Sequence, residues 1–129
     1  MALLVLDASV VIALLDENDA LHERAAAVLA RARSDELILP ASAFAEVLVV
    51  PYRQGADAVA RLEATLAEVP VRVEPLTAAI ARRAAALRAT HDRLRLADAL
   101  VLATAEDLDG RVLTADRTRG RSGPRVRTI

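Results

Sequence analysis

Apolar residues along this chain fall into short continuous runs, separated by segments where they recur at helical spacing. Residues 2–6 form an apolar run that ends at Asp7, a length that suits a buried strand of a parallel sheet. Residues 9–15 and 23–33 read as helices, with a polar break over 16–20. A second strand is expected over 37–39, and Pro40 and Ser42 mark the start of a helix that Pro51 should stop at about residue 50. After Gly55, the spacing of Val59, Leu62, Leu66 and Val69 predicts another helix, ended by Pro70. Residues 71–73 give a third strand. Thr77 can cap a helix through 87, and a last helix over 97–108 should end with Gly110 at C′. Residues 111–114 and 126–129 read as the final strands. Strands alternating with helices predict an α/β fold with right-handed crossovers and a parallel sheet covered on both faces. No repeat, linker or low-complexity segment interrupts the pattern, so residues 1–129 are expected to form a single domain.

Composition narrows the chemistry. Hydrophobic residues make up 54% and charged residues 27%, which is too apolar for disorder, and with 2% aromatics the core must be aliphatic. There is no cysteine, which removes disulfides, thiolate zinc sites and a cysteine nucleophile and permits a reducing compartment; a cytoplasmic location is the expectation. The first apolar run has no basic region before it and meets Asp7 at once, unlike a signal peptide, and the stretch over 8–15 is short of the ~18 residues of a membrane span. A net charge of −1 gives no bulk attraction to nucleic acid or membranes. All 17 basic residues are arginine, so P-loop, Schiff-base and receiver-domain lysines are excluded.

Three acids stand alone in apolar surroundings. Asp7 is the sole charge from Met1 to Leu15, Glu46 the sole charge between Glu36 and Arg53, and Asp98 the sole charge between Arg95 and Glu106. Each is expected on a largely buried element, where an ionised carboxylate is costly unless paired, hydrogen-bonded or metal-bound. Asp7 and Asp116 follow strands, Asp98 opens a helix and Glu46 lies one turn into another, so all four can face the carboxyl edge of the sheet, where ligands bind. Carboxylates gathered there repel one another unless a cation compensates, and Mg²⁺ or Mn²⁺ suits all-oxygen donors. The plainer alternatives are helix N-caps for Asp7 and Asp98, a solvated helix position for Glu46 and a turn for Asp116.

The blocks L-D-A-S at 6–9, A-E-V at 45–47, L-A-D-A-L at 96–100 and L-T-A-D at 113–116 resemble, in order and spacing, the signature blocks of PIN-domain nucleases of the VapC toxin type. The resemblance covers essentially the whole chain. It implies a PIN domain: a central four- to five-stranded parallel sheet flanked by helices, with an acidic pocket that binds Mg²⁺ or Mn²⁺ and cuts single-stranded RNA. Asp7, Glu46, Asp98 and Asp116 match the acidic positions, for catalysis and metal binding. Ser9 and Thr114 match small hydroxyl positions beside the site, which implies that Thr114 holds Asp116 or a metal-bound water and that Ser9 does likewise near Asp7, with ordinary capping or turn hydroxyls as the alternative. The metal is expected to activate water for in-line attack on a phosphodiester and to offset charge on the phosphate, leaving 5′-phosphate and 3′-hydroxyl ends. Asp98 or Asp116 can take the proton, and the sequence does not choose. The resemblance also implies a VapB-type antitoxin that blocks the pocket, and a homodimer that covers surplus apolar surface around Glu46 and over 56–69.

Six arginines, Arg111, Arg117, Arg119, Arg121, Arg125 and Arg127, share a tail whose only acid is Asp116. Arg117, Arg119 and Arg121 are candidates for contacting RNA phosphates, with a solvated surface as the alternative. His22 and His91 each sit beside a charge, which suits surface positions rather than a metal-free acid–base pair. A phosphatase using Asp7 as nucleophile is disfavoured because Ser9 stands where a second acid is needed. The remaining alternative is a PIN-like module that binds RNA or protein without cutting.

Overall fold

The computed structural model describes residues 2–118 and 123–129. Among them the order is β1 (Leu3–Leu6), α1 (Ala8–Leu15), α2 (His22–Arg31), β2 (Glu36–Pro40), α3 (Ala41–Gln54), α4 (Ala56–Glu68), β3 (Arg72–Glu74), α5 (Ala78–Thr90), α6 (Leu96–Asp107), β4 (Arg111–Thr114) and β5 (Val126–Thr128). The strands make one sheet of order β3-β2-β1-β4-β5 in which every pairing is parallel, as the α/β reading expected. Strands β1 and β2 run through the core, with Val5, Leu6, Ile38 and Leu39 fully buried, which is why their sequences are continuous apolar runs. Each such side chain contributes roughly 1.5–3 kcal/mol.

The chain steps outward from β1 to β2 to β3, then returns to place β4 on the other side of β1. Because parallel crossovers are right-handed, the outward steps and the return step cover opposite faces of the sheet. Helix α1 packs on α2 and α3, α3 on α4, and α5 on α6. Helix α6 is buried on two sides: Val101 and Ala105 join the main core, while Ala99 and Ala103 meet Ile80 and Ala84 of α5. The direction of winding reverses between β1 and β4. Loops leaving neighbouring strands part at such a switch point and open a crevice at the carboxyl edge.

Helix α2 ends at Arg31 and α5 runs on to Thr90, against expected ends at 33 and 87, and two helix ends differ more instructively. Helix α3 does not stop before Pro51 but runs to Gln54 with the proline inside. Proline removes only the N–H of its own position, and the last turn still closes through Gly55 N–H to Pro51 O at 3.0 Å. Gly55, at φ 124°, then turns the chain directly into α4. Helix α6 ends in a Schellman motif, with Gly110 N–H donating to Ala105 O at 2.7 Å and Asp109 N–H to Glu106 O at 3.3 Å. The left-handed C′ residue is Asp109, at φ 52°, not Gly110. Gly110 answers a different need, since a Cβ there would collide with Leu3 Cδ2 and lie 2.8 Å from Leu3 O.

The apolar surplus expected over 56–69 is absorbed within the domain, because Ala58, Leu62 and Leu66 of α4 are buried. Val49, Val50 and Tyr52 on the second half of α3 remain exposed. At the sheet edge, Arg72 of β3 bonds Glu36 of β2 at 2.9 Å and also Glu74. The hydrogen bond to Glu36 is the main cause of the raised pKa of its guanidinium.

Candidate active site

Strand β1 delivers Asp7 to the switch point. It is 3% exposed, and its backbone N–H bonds Leu113 O of β4 at 2.9 Å. Asp7 occupies the N-cap position of α1, yet its carboxylate makes no capping bond. Instead Oδ2 accepts two hydroxyls, Ser9 Oγ at 2.5 Å and Thr114 Oγ1 at 3.0 Å. Each hydroxyl has one proton. With both spent on Asp7, the hydroxyl oxygens serve as acceptors: Ala115 N–H reaches Ser9 Oγ at 2.9 Å and Asp116 N–H reaches Thr114 Oγ1 at 3.1 Å. The side chains that hold Asp7 therefore also fix the backbone that presents Asp116.

Asp116 follows β4, and its Oδ1 accepts both the N–H of Thr118 at 2.9 Å and its hydroxyl at 2.7 Å. Asp98 lies in the first turn of α6, whose N-cap is Arg95, so the N-cap alternative for Asp98 does not hold. Its charge there complements the positive end of the helix. Since α6 leads into the amino end of β4, it starts at the carboxyl edge and brings Asp98 toward Asp116. Both are half-buried and line one cavity of about 710 Å³, together with Leu87, Leu94 and Leu102 and the loop between α5 and α6.

Glu46 is placed differently. It is exposed on α3, against the expectation of buried surroundings, and does not line that cavity. As the sixth residue of a helix that starts at the end of β2, it stands roughly 8 Å along the axis from the carboxyl edge. Its helix packs against α6. A lone charge in an apolar helix marks the solvent side as readily as a functional site, which accounts for the difference.

Among the described residues, no group of three or more His, Asp or Glu side chains is gathered closely enough to hold a metal ion unaided. The donor chemistry nevertheless fits a hard cation. Mg²⁺ is usually held by one or two carboxylates and completed by water and substrate phosphate. Asp98 and Asp116 supply carboxylate oxygens to the cavity, Asp7 does not line it but is tied to Asp116 through Thr114, and no thiolate competes.

The arginines of the tail do not form one surface. Arg111 opens β4 at the amino edge, roughly 10 Å from the strand's other end. Arg125 is engaged by Asp109 Oδ1 at 3.1 Å and Gly110 O at 3.0 Å. Arg117 is exposed beside Asp116, whereas Arg119 and Arg121, the other two candidates for phosphate contact, lie outside the described residues. Among the described residues, the arginines that line the cavity are Arg93 and Arg95, with His91 between them and α5. Sequence reasoning passed over them, although the run H-D-R-L-R directly precedes the L-A-D-A-L block. His22 is held by Ala13 O at 2.9 Å and does not line the cavity, so the two histidines do not share it.

A parallel five-stranded sheet with acids at its switch point is the architecture of an open α/β protein, the class that binds ligands at the carboxyl edge. The model of the PIN domain matches residues 4–119, and the chain belongs to the PIN-domain family. No curated protein matches it. Among solved structures, it is similar to a toxin–antitoxin complex from Klebsiella pneumoniae, with TM-score 0.79 and 23% identity over 99% of this chain and 97% of that one. It is also similar to VapC20 of Mycobacterium tuberculosis, a sarcin–ricin-loop-cleaving toxin, with TM-score 0.73 and 22% identity over 93% and 95% of the two chains. A third is VapBC-1 from nontypeable Haemophilus influenzae, with TM-score 0.75 and 14% identity over 98% and 96%. At these identities the likeness is one of fold.

Proposed function

We propose that this PIN domain is an Mg²⁺- or Mn²⁺-dependent endoribonuclease and the toxin of a VapBC-type toxin–antitoxin pair. The observation that carries the reading is the buried Asp7, held at the switch point by Ser9 and Thr114 and coupled through Thr114 to Asp116. Asp7, Asp98 and Asp116, with Glu46 approaching from α3, would hold the cation. When bound, the cation supplies Lewis acidity toward water and the phosphate. Asp98 or Asp116 accepts the proton of the attacking water. Attack on phosphorus breaks the bond to the 3′-oxygen, which takes a proton from solvent water as it leaves, giving a 5′-phosphate and a 3′-hydroxyl.

The partner part of the proposal is a VapB-type antitoxin that covers the pocket and a homodimer. Support comes from the neighbours that are toxin–antitoxin complexes, and from the exposed Val49, Val50 and Tyr52 on α3. A cytoplasmic location belongs to the same reading; among the described residues no helix is long and apolar enough to cross a membrane. Cleavage of RNA by the purified protein with Mg²⁺, with Mn²⁺ and with EDTA tests the function. Cutting that EDTA stops is expected. RNA left intact under all three conditions would support a module that binds without cutting.

A further inference from the structure

We propose that the loop between α5 and α6 is the strand-binding wall of the site: Arg93 and Arg95 grip RNA phosphates beside the cut, and the leucine floor of the cavity receives the adjoining base. The proposal rests on the ribonuclease reading above. Its ground is the way the cavity is divided. Asp98 and Asp116 stand on the side of α6 and β4, while His91, Asp92, Arg93 and Arg95 come from the loop. RNA reaches Asp98 and Asp116 only by passing the loop that forms the other side of this lining, so the charges on the loop meet its phosphates. Two guanidinium groups stand in that same lining, and their planar fork matches phosphate geometry.

The loop is fixed in advance of any ligand. Arg88 Nε of α5 donates to Leu94 O at 2.9 Å, and Leu94 N–H donates to His91 O at 3.0 Å. The ring of His91 lies with Nδ1 2.9 Å from Leu87 O. Arg93 and Arg95 are exposed, and among the described residues their side chains make no hydrogen bond or ion pair that would hold the loop, so they can serve a ligand. Leu87, Leu94 and Leu102 give the same cavity an apolar floor, and at about 710 Å³ it is within the size range of small-ligand clefts. Single-stranded RNA is recognised through unstacked bases set in such places, with the backbone held by cations. Neither Arg111 nor Arg125 can share this task from the amino side of the sheet.

The test is binding of a fluorescein-labelled single-stranded oligoribonucleotide in EDTA, followed by anisotropy between about 50 and 200 mM salt. The double variant Arg93→Ala/Arg95→Ala is expected to bind about tenfold more weakly, with a log–log salt slope smaller by about 1.4, or about 0.7 for each lost phosphate contact. Arg31→Ala/Arg111→Ala removes the same charge from residues that lead into the amino ends of β2 and β4, and should leave the slope unchanged. Wild-type slope and affinity in Arg93→Ala/Arg95→Ala would overturn the proposal, as would equal losses in both pairs. Should the alanine pair melt early, Arg93→Lys/Arg95→Lys keeps the charge; it is expected to retain the slope, and loss of the slope there would overturn the proposal. Because binding is read without cleavage, a wild type that binds but never cuts defeats the ribonuclease reading alone. A wild type that cuts while the alanine pair binds normally defeats only this one.

Discussion

The hydroxyl of Thr114 gives its one proton to Asp7 and takes the N–H of Asp116, so a single oxygen ties the ends of two neighbouring strands. Thr114→Val keeps the shape and deletes both bonds, leaving a buried carboxylate and a backbone N–H each short of a partner. A loss of about 1–3 kcal/mol is predicted, read by urea unfolding, together with slower RNA cleavage. Asp7→Ala removes the carboxylate itself and should abolish cleavage, while the unchanged circular dichroism shows that the fold is kept. Asp7 and Asp98 stand out in the sequence as lone charges in apolar surroundings, whereas Asp116, followed by Arg117, reads as an ordinary turn residue and is singled out only by the L-T-A-D block. The resemblance sets Ser9 beside Asp7 and Thr114 beside Asp116, as found; the cross-links from Thr114 to Asp7 and from Ala115 to Ser9 were not legible, since the two hydroxyls are 105 residues apart and meet only through the pairing of β1 with β4. The exposure of Glu46 was equally hidden, because periodicity around a single charge does not say which side of α3 faces the core.

At the scale of elements, the end of α6 shows how a correct residue can be given the wrong reason. A glycine after a helical run signals a left-handed C′ position, but here Asp109 takes that conformation and Gly110 lets β1 approach. Gly110→Ala sets a methyl group against a backbone carbonyl that cannot swing aside. A destabilisation of roughly 1–3 kcal/mol is expected by the same unfolding measurement. Asp109→Gly relieves the unfavourable conformation and should cost little or nothing. Thr77, by contrast, works as its sequence suggests: it caps α5 by accepting from Ile80 N–H at 3.2 Å. Thr77→Ala should lower stability by ~1 kcal/mol. Strands and helices were legible because apolar runs and helical spacing report burial directly. The passage of α3 through Pro51 was not, because one missing N–H near a helix end is a small cost that tertiary packing outweighs.

For the whole molecule, the strand order sets where chemistry can occur. Local pattern announces parallel strands but does not say that β4 lies beside β1, and that neighbourhood alone brings Asp7 and Asp116 together. The same limit explains why the six arginines of the tail read as one cluster: the fold sends Arg111 and Arg125 to the amino side, while Arg93 and Arg95, from another part of the chain, line the cavity. Association is also a property at this scale. If the exposed face of α3 mediates the proposed homodimer, Val50→Arg places a charge in it, and light scattering should report a monomer where the wild type gives a dimer. The most direct measurement of the central claim is cleavage of total cellular RNA by wild type and a folded Asp98→Ala variant, side by side in Mn²⁺. The account predicts cutting by the wild type and none by the variant; equal cutting by both would contradict it.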